Sequence, residues 1–399
     1  MLGLVADDLT GAGDASVQFA KRGWYTLLTL EVRPEVRLKP DTTDDPPLKV
    51  RLKPDTTDDA PLKVRLKPDT TDDAPLTVRL KPDTTGDATV MALTTDCRAL
   101  GNEAAERLTS DAVTALMRAG VDRVFLKIDS TLRGSVTGQV AGALAAWQTR
   151  YPDARAVVCP AYPAMGRTVE SNRLLVHGEP VERTVFGRDP VTPVTTSDMA
   201  ALIPLSPRVS VPDAATNADL MTIAASISAA GPSVIAVGSG GLADALAATW
   251  CAPSTHALAA ADIMPKRQTP RILLQVSSMN PVSHAQVARL KSTFPEVVVL
   301  LAPLERGDSK AVIERLAREF VQHVEREPWD ILGLIGGDGA RETLARLGAS
   351  GIRIVDSLLE GIPLGLVVDG RADGTPVFTK AGGFGAEDAL VRVFERMTA

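Results

Sequence analysis

The sequence predicts an α/β protein of two domains, each with a mostly parallel sheet flanked by helices, and with the active site in the interdomain cleft. A repeated unit is the main reason: a short apolar run, a glycine-containing turn, then a helical segment, at Leu2–Arg22, Ser233–Trp250, Ile331–Leu347 and Pro376–Met397. The second reason is capacity, since 399 residues with 45% apolar content can close two cores. The third is a break in composition: residues 251–270 mix Pro, Ser, Thr and Ala and read as a linker between domains at 1–250 and 271–399.

Charge and composition exclude several classes. The chain carries 43 Lys and Arg against 49 Asp and Glu, a net charge of −6, and only 4% aromatic residues, which argues against a nucleic-acid surface. Cys97, Cys159 and Cys251 are isolated and odd in number, so neither a disulfide framework nor a zinc site is expected. Acidic residues follow the first apolar run directly, and no run reaches the length of a membrane span, so a cytoplasmic protein without membrane partners is expected.

Leu2 to Ala6 is short and apolar enough for a buried strand, followed by the polar glycine turn Asp7-Asp8-Leu-Thr-Gly-Ala-Gly-Asp14 and a helix from about Ala15 to Arg22. Carboxylates at the carboxyl end of a parallel strand sit where open α/β sheets bind ligands. Asp8 there can orient a hydroxyl, accept its proton or hold magnesium; a helix N-cap role accounts equally well for any one of Asp7, Asp8 or Asp14. After a strand at Trp24–Leu30, a 14-residue unit begins at Val36, Val50, Val64 and, shortened, Val78. Each full unit has Pro inside its only apolar run, so residues 34–87 read as a low-complexity insertion with no part in the chemistry.

Thr89–Leu93 resumes as a strand and ends in Thr94-Thr-Asp-Cys-Arg98, where Asp96 suits a hydroxyl and Arg98 a carboxylate. A helix at Asn102–Ala119 and a strand at Arg123–Ile128 lead into Lys127-Ile-Asp-Ser-Thr-Leu-Arg-Gly134. Lysine, aspartate, hydroxyls and arginine in so short a stretch suit a polyhydroxylated acid, with Lys127 and Asp129 on one strand face and Ser130 and Arg133 starting the loop. A surface turn with an ordinary ion pair is the plainer reading. Beyond a helix at Ser135–Trp147 and a strand at Ala154–Cys159, a proline-stiffened loop presents Tyr162 and Arg167, the latter facing either an anion or solvent. Leu174–Arg183 reads as a hairpin turning at Gly178, and residues 184–215 resist assignment.

In the second half, Arg271–Val276 is a strand, Ser277-Ser-Met-Asn-Pro281 a turn and Val282–Lys291 a helix. Ser277 and Ser278 can hydrogen-bond a nucleotide phosphate or simply make the turn. A strand at Val297–Leu301 and a helix at Ser309–Glu325 follow. Ile331–Ile335 then enters Gly336-Gly337-Asp338-Gly339 and a helix, a shape that lets main-chain amides approach an anion. The loop lacks the Lys-Ser or Lys-Thr of a Walker motif. Residues 352–365, including Gly361, suit one wall of an adenine pocket, and Pro376–Gly385 gives a second phosphate-type loop at Gly382, Gly383 and Gly385. Lys380 before it reads as a movable ammonium that follows charge on a phosphoryl group.

Taken together, these motifs resemble the four-carbon acid sugar kinase family. The resemblance rests on Ala-Asp-Asp-Leu-Thr-Gly-Ala at 6–12, Lys-Ile-Asp-Ser-Thr-Leu-Arg-Gly at 127–134, Pro-Ala-Tyr-Pro and Gly-Arg-Thr within 160–168, Gly-Gly-Asp-Gly at 336–339 and Thr-Lys-Ala-Gly-Gly-Phe-Gly at 379–385. It implies ATP-dependent phosphorylation of a tetronate or oxo-tetronate at its terminal hydroxyl, with Mg²⁺ whose protein ligands stay unassigned. Asp8 or Asp129 would orient or deprotonate the acceptor and Lys380 would assist. Asp7, Arg98, Lys127, Ser130, Arg133, Gly134, Tyr162 and Arg167 would bind the sugar acid, and Ser277, Ser278, Gly336, Gly337, Asp338, Gly339, Gly361, Gly382, Gly383 and Gly385 the nucleotide. Cys97, Ala381 and Ser278-Met279-Asn280 depart from the family pattern, and a homodimer stays an open option. Two other classes compete: a nucleotide-dependent oxidoreductase using Glu31 for a ribose, although its turn lacks the glycine spacing, and a non-catalytic sugar-acid sensor.

Overall fold

The computed structural model describes residues 1–29, 89–203, 206–250, 258–267, 269–304 and 309–398. The repeat insertion at 34–87, Glu31, Cys251 and the first part of the 251–270 segment lie outside the described residues.

Buried apolar runs form the strands, and they assemble side by side into one sheet of thirteen described strands. From edge to edge the order is Val298–Leu301, Ile272–Val276, Ile331–Ile335, Pro376–Lys380, Ile362–Val368, Gly351–Leu359, Tyr25–Thr29, Thr89–Thr94, Leu2–Ala6, Arg123–Lys127, Val234–Gly238, Arg155–Cys159 and Val209–Ser210. The first four strands of that order are mutually parallel, and so are the last seven. The hairpin of Gly351–Leu359 and Ile362–Val368 is antiparallel to its neighbours on both sides and joins the two parallel sets. Gly351 stands opposite Thr29 and Ile354 opposite Thr26. Each half would otherwise end in a row of unpaired N–H and C=O groups, and this ladder satisfies both rows.

The helices cover the two faces. Leu9–Ala20 packs Phe19 at its far end against Trp24, with ring centroids 5.9 Å apart, and against Phe125 and Trp250. This helix starts at Leu9 rather than at the expected Ala15, because the Asp8 side chain accepts from Gly11 N at 2.7 Å and caps it. Asp14 is therefore a residue of the helix and not of a turn. A helix at Asn217–Ala230, which the sequence pattern leaves unassigned, is nucleated by a reciprocal cap between Thr216 and Asp219. The expected hairpin gains a strand and becomes a small antiparallel sheet of Arg167–Glu170, Arg173–Val176 and Glu179–Pro180. Among the described residues no helix is long and apolar enough to cross a membrane.

Candidate active site

Neighbouring parallel strands bring their carboxyl ends together, and the loops leaving Leu2–Ala6, Thr89–Thr94 and Arg123–Lys127 converge for that reason. Arg98 forks between the first two acidic positions. It donates to both oxygens of Asp7, through Nε and Nη2 at 2.7 Å each, and to Asp8 at 2.9 and 3.0 Å. Asp7 is fully buried behind this guanidinium. Burial pulls its carboxyl above the ordinary range, and Arg98 only partly offsets that. Asp7 thus holds Arg98 and does not itself reach the cleft.

Burial also opposes ionisation of Asp129, but Arg98, Arg133 and Thr131 outweigh it and hold this carboxyl well below the usual carboxylate range. Its oxygens accept from Arg133 Nη2 at 2.9 Å, Arg133 Nε at 3.1 Å, Thr131 N at 3.1 Å and the Thr131 hydroxyl. A carboxylate so gripped is a fixed anion and a weak proton acceptor. Arg133 also reaches Asp189 at 3.3 Å, and the Phe186 ring lies under both Arg133 and Arg167, 5.1 and 5.7 Å from centroid to guanidinium. Arg167 has no carboxylate partner among the described residues. It donates to the Met165 carbonyl, and its Nε is buried without a partner.

Lys127 is buried, its Nζ donating to Ile128 O at 3.1 Å, and Gly11 makes room for it. A Cβ on Gly11 would stand 2.5 Å from Asp8 Oδ1 and 3.2 Å from Lys127 Nζ. Gly11→Ala is therefore expected to displace both groups, at an overpacking cost of about 1–3 kcal/mol. Thermal melts should show the loss, and steady-state kinetics should show a raised KM for the acceptor. Gly134 serves packing in the same way: its φ is +90° and Arg98 O lies 2.8 Å from where a Cβ would be.

In the second half, the loops after Ile272–Val276, Ile331–Ile335 and Pro376–Lys380 also leave adjacent strand ends. Gly336 N donates to Lys380 O at 3.0 Å, so the two glycine loops are neighbours. Ser277 and Ser278 wedge between them, Ser277 against Gly336 and Gly339 and Ser278 against Gly382. The Ser277 hydroxyl is spent on Ile335 O at 3.0 Å, which ties strand ends together and leaves it no free role toward a phosphate. The helix Gly337–Leu347 begins without a side-chain cap, with Asp338 exposed in its first turn, so its leading amides are open to an anion.

Lys380 differs from the expectation of a movable ammonium. It is 1% exposed, and its Nζ donates to the carbonyls of Ala381 at 2.7 Å, Phe384 at 2.8 Å and Gly382 at 3.3 Å. Burial with no carboxylate beside it lowers its pKa to about 8. The lysine folds the glycine loop around itself and acts as that loop's internal support.

The two sets of loops face each other across a cleft of about 650 Å³. Asp8, Arg98, Lys127, Asp129, Ser130, Arg133 and Arg167 form one wall, and Gly383, Phe384 and Gly385 lie opposite. Tyr162 spans the gap, its hydroxyl donating to Glu360 at 2.6 Å beside Gly361, whose lack of a Cβ lets the Phe384 ring pack on it. A second cavity of about 390 Å³ shares Asp14, Tyr162, Glu360 and Gly361 with the cleft. Asp7, Gly134, Ser277, Ser278, Lys380, Gly382 and the Gly336–Gly339 loop stand off the cleft wall, although a Cβ on Gly337 would come within 3.9 Å of Leu9.

Asp96 has a different partner from the expected substrate hydroxyl. It pairs at 2.5 Å with Arg341 of the helix that follows the Gly336–Gly339 loop, and Arg341 also reaches Thr94 at 3.2 Å. Sequence reasoning also passed over Thr10, Gly11, Asp14, Thr131, Phe186, Asn280, Glu360 and Phe384, all of which line the cleft. A visible signal existed for two of these: once a helix starts at Leu9, Thr10 and Asp14 fall one turn apart on one face. Among the described residues no group of three or more His, Cys, Asp or Glu is arranged to hold a metal.

Lysine and arginine side chains facing the Gly383–Gly385 loop, in a cleft between two groups of parallel strands, suit a small-molecule kinase. Comparison with known proteins places it more narrowly. The family model described as a sugar-binding N-terminal domain matches residues 2–206, and that described as a nucleotide-binding C-terminal domain matches residues 296–390. The chain is 33% identical to a D-threonate kinase of Bordetella bronchiseptica over 98% of this chain and 96% of that one. It is 25% identical to a D-erythronate kinase of Heliobacterium modesticaldum over 97% and 94% of the two chains. A solved Haemophilus influenzae protein of a family catalogued as of unknown function shares the fold, with a TM-score of 0.65 at 16% identity over 99% of this chain and 98% of that one. The chain belongs to the four-carbon acid sugar kinase family.

Proposed function

We propose that this kinase transfers the terminal phosphoryl group of ATP to the terminal hydroxyl of a four-carbon sugar acid of the threonate, erythronate or 3-oxo-tetronate type. The reading is carried by one observation: Arg167 and Lys127, cations without a carboxylate within ion-pair distance among the described residues, share a cleft with the Gly383–Gly385 loop. A short acid fits between them. Its carboxylate would take Arg167, and its hydroxyls would face Asp129 and Ser130 and the Lys127 ammonium. The backbone of Gly383–Gly385, on the cleft wall, would receive the phosphates. Mg²⁺, when bound with the nucleotide, would neutralise phosphate charge. D-threonate is the first compound to try, since that is the substrate named for the 33% identical relative.

Phosphoryl transfer asks the protein mainly for positioning and charge, and the fixed Asp7–Arg98–Asp8 fork and the Asp129–Arg133 pair supply a rigid acceptor side. Approach of the two walls would expel water that competes as acceptor. The test is ADP release by the purified chain with ATP, Mg²⁺ and a panel of D- and L-tetronates and oxo-tetronates. Turnover with one of them is expected. Tight binding of a tetronate with no ADP release would instead favour a sensor, and the kinase reading would fall.

A further inference from the structure

We infer that Asp14 is the carboxylate that takes the proton from the acceptor hydroxyl, an assignment that rests on the kinase reading above. The other acids of the cleft are already committed. Asp8 Oδ1 accepts from Gly11 N at 2.7 Å and Arg98 Nη2 at 3.0 Å, and its Oδ2 accepts from Arg98 Nη1 at 2.9 Å. Asp129 is held by Arg133 and Thr131, and Glu360 accepts from Tyr162. The Asp14 carboxylate has neither a hydrogen-bond donor nor an ion pair among the described residues, and it lines both cavities where they meet.

Its surroundings suit a base. Asp14 Oδ2 lies 2.7 Å from where a Cβ on Gly240 would be, and the Tyr162 ring 2.9 Å from it, so only a glycine there lets this carboxylate sit beside the tyrosine. Lys127 and Lys21 act on it as positive charges, Glu360 and Asp8 as negative ones, and the Tyr162 phenol faces it; Arg396 and the Asp244–Arg22 pair border the smaller cavity. Burial leads these influences and raises the carboxyl above its ordinary value of 3.8, toward the range in which a base accepts a proton efficiently. Thr10, one helical turn before Asp14 and also on the cleft wall, stands where it can steady the hydroxyl. In the step itself, the acceptor oxygen bonds to the terminal phosphorus of the nucleoside triphosphate and the bond from that phosphorus to its bridging oxygen breaks. The electron pair leaves with the diphosphate, and the hydroxyl proton moves to an Asp14 oxygen.

Two measurements test this. In Asp14→Asn, kcat should fall about 10²- to 10⁴-fold, the range for loss of a general base. Calorimetric binding of the sugar acid and the KM for ATP should stay close to wild type, and the acid limb of the kcat profile should disappear. In the wild-type chain, that limb should lie above 3.8. An Asn variant with wild-type kcat, an Asn variant that no longer binds the sugar acid, or a wild-type profile flat down to about pH 4 overturns the assignment. A wild-type chain inert toward every tetronate removes the kinase reading itself, a result visible before any variant is made.

Discussion

Arg98→Ala is expected to be the most damaging single change, lowering stability by about 3–5 kcal/mol, because it strands a buried carboxylate without its counter-ion. Asp7 has no exposure to water and receives both of its short bonds from Arg98. The sign with pH is specific. A carboxyl whose pKa is raised in the fold stabilises fully below its unfolded value and loses that contribution as pH rises through the folded one. Asp7 is already raised by burial, and removal of Arg98 raises it further. The deficit of the variant should therefore shrink on acidification and grow toward neutral pH, as urea denaturation at a series of pH values will show. Equal deficits at all pH values would mean that Arg98 acts through packing alone. Turnover should be lost together with stability, since the same fork aligns Asp8.

Arg167→Gln is expected to act on the acceptor and leave the fold standing. Arg167 is the cleft guanidinium without a carboxylate partner among the described residues, while Arg98 and Arg133 are each neutralised by two aspartates. Truncating one member of a buried charged contact costs about 2–5 kcal/mol. The expected loss in kcat/KM for the sugar acid is therefore about thirtyfold or more. The KM for ATP should not move, because Arg167 sits on the wall opposite the glycine loops. An unchanged kcat/KM would show that the substrate carboxylate is held elsewhere.

The strands were the legible part of the fold. Ile331–Ile335 and Leu2–Ala6 are unbroken apolar runs with polar turns behind them, and they lie where that pattern puts them. The start of the first helix was hidden by Gly11 and Gly13, which read as a turn; the Asp8 cap and tight packing override their weak helix propensity, Gly13 meeting Pro363 at 2.8 Å from a would-be Cβ. Ion-pair partners were hidden for another reason. Nothing in the local pattern says that Arg98 will turn to Asp7, or Asp96 to Arg341, because those pairings arise from strand order and not from spacing. Lys380 shows the same limit: its place before a glycine loop was readable, but the inward fold of its side chain was not.

The antiparallel seam between Tyr25–Thr29 and Gly351–Leu359 has a consequence for how the molecule can be divided. Severing the chain between its halves and producing each alone would bare one raw strand border on each fragment. Such borders are sticky templates for further strands. The fragments should consequently seek one another, or copies of themselves, through main-chain pairing, so that splitting this enzyme yields pieces predisposed to re-zip and not two independent modules.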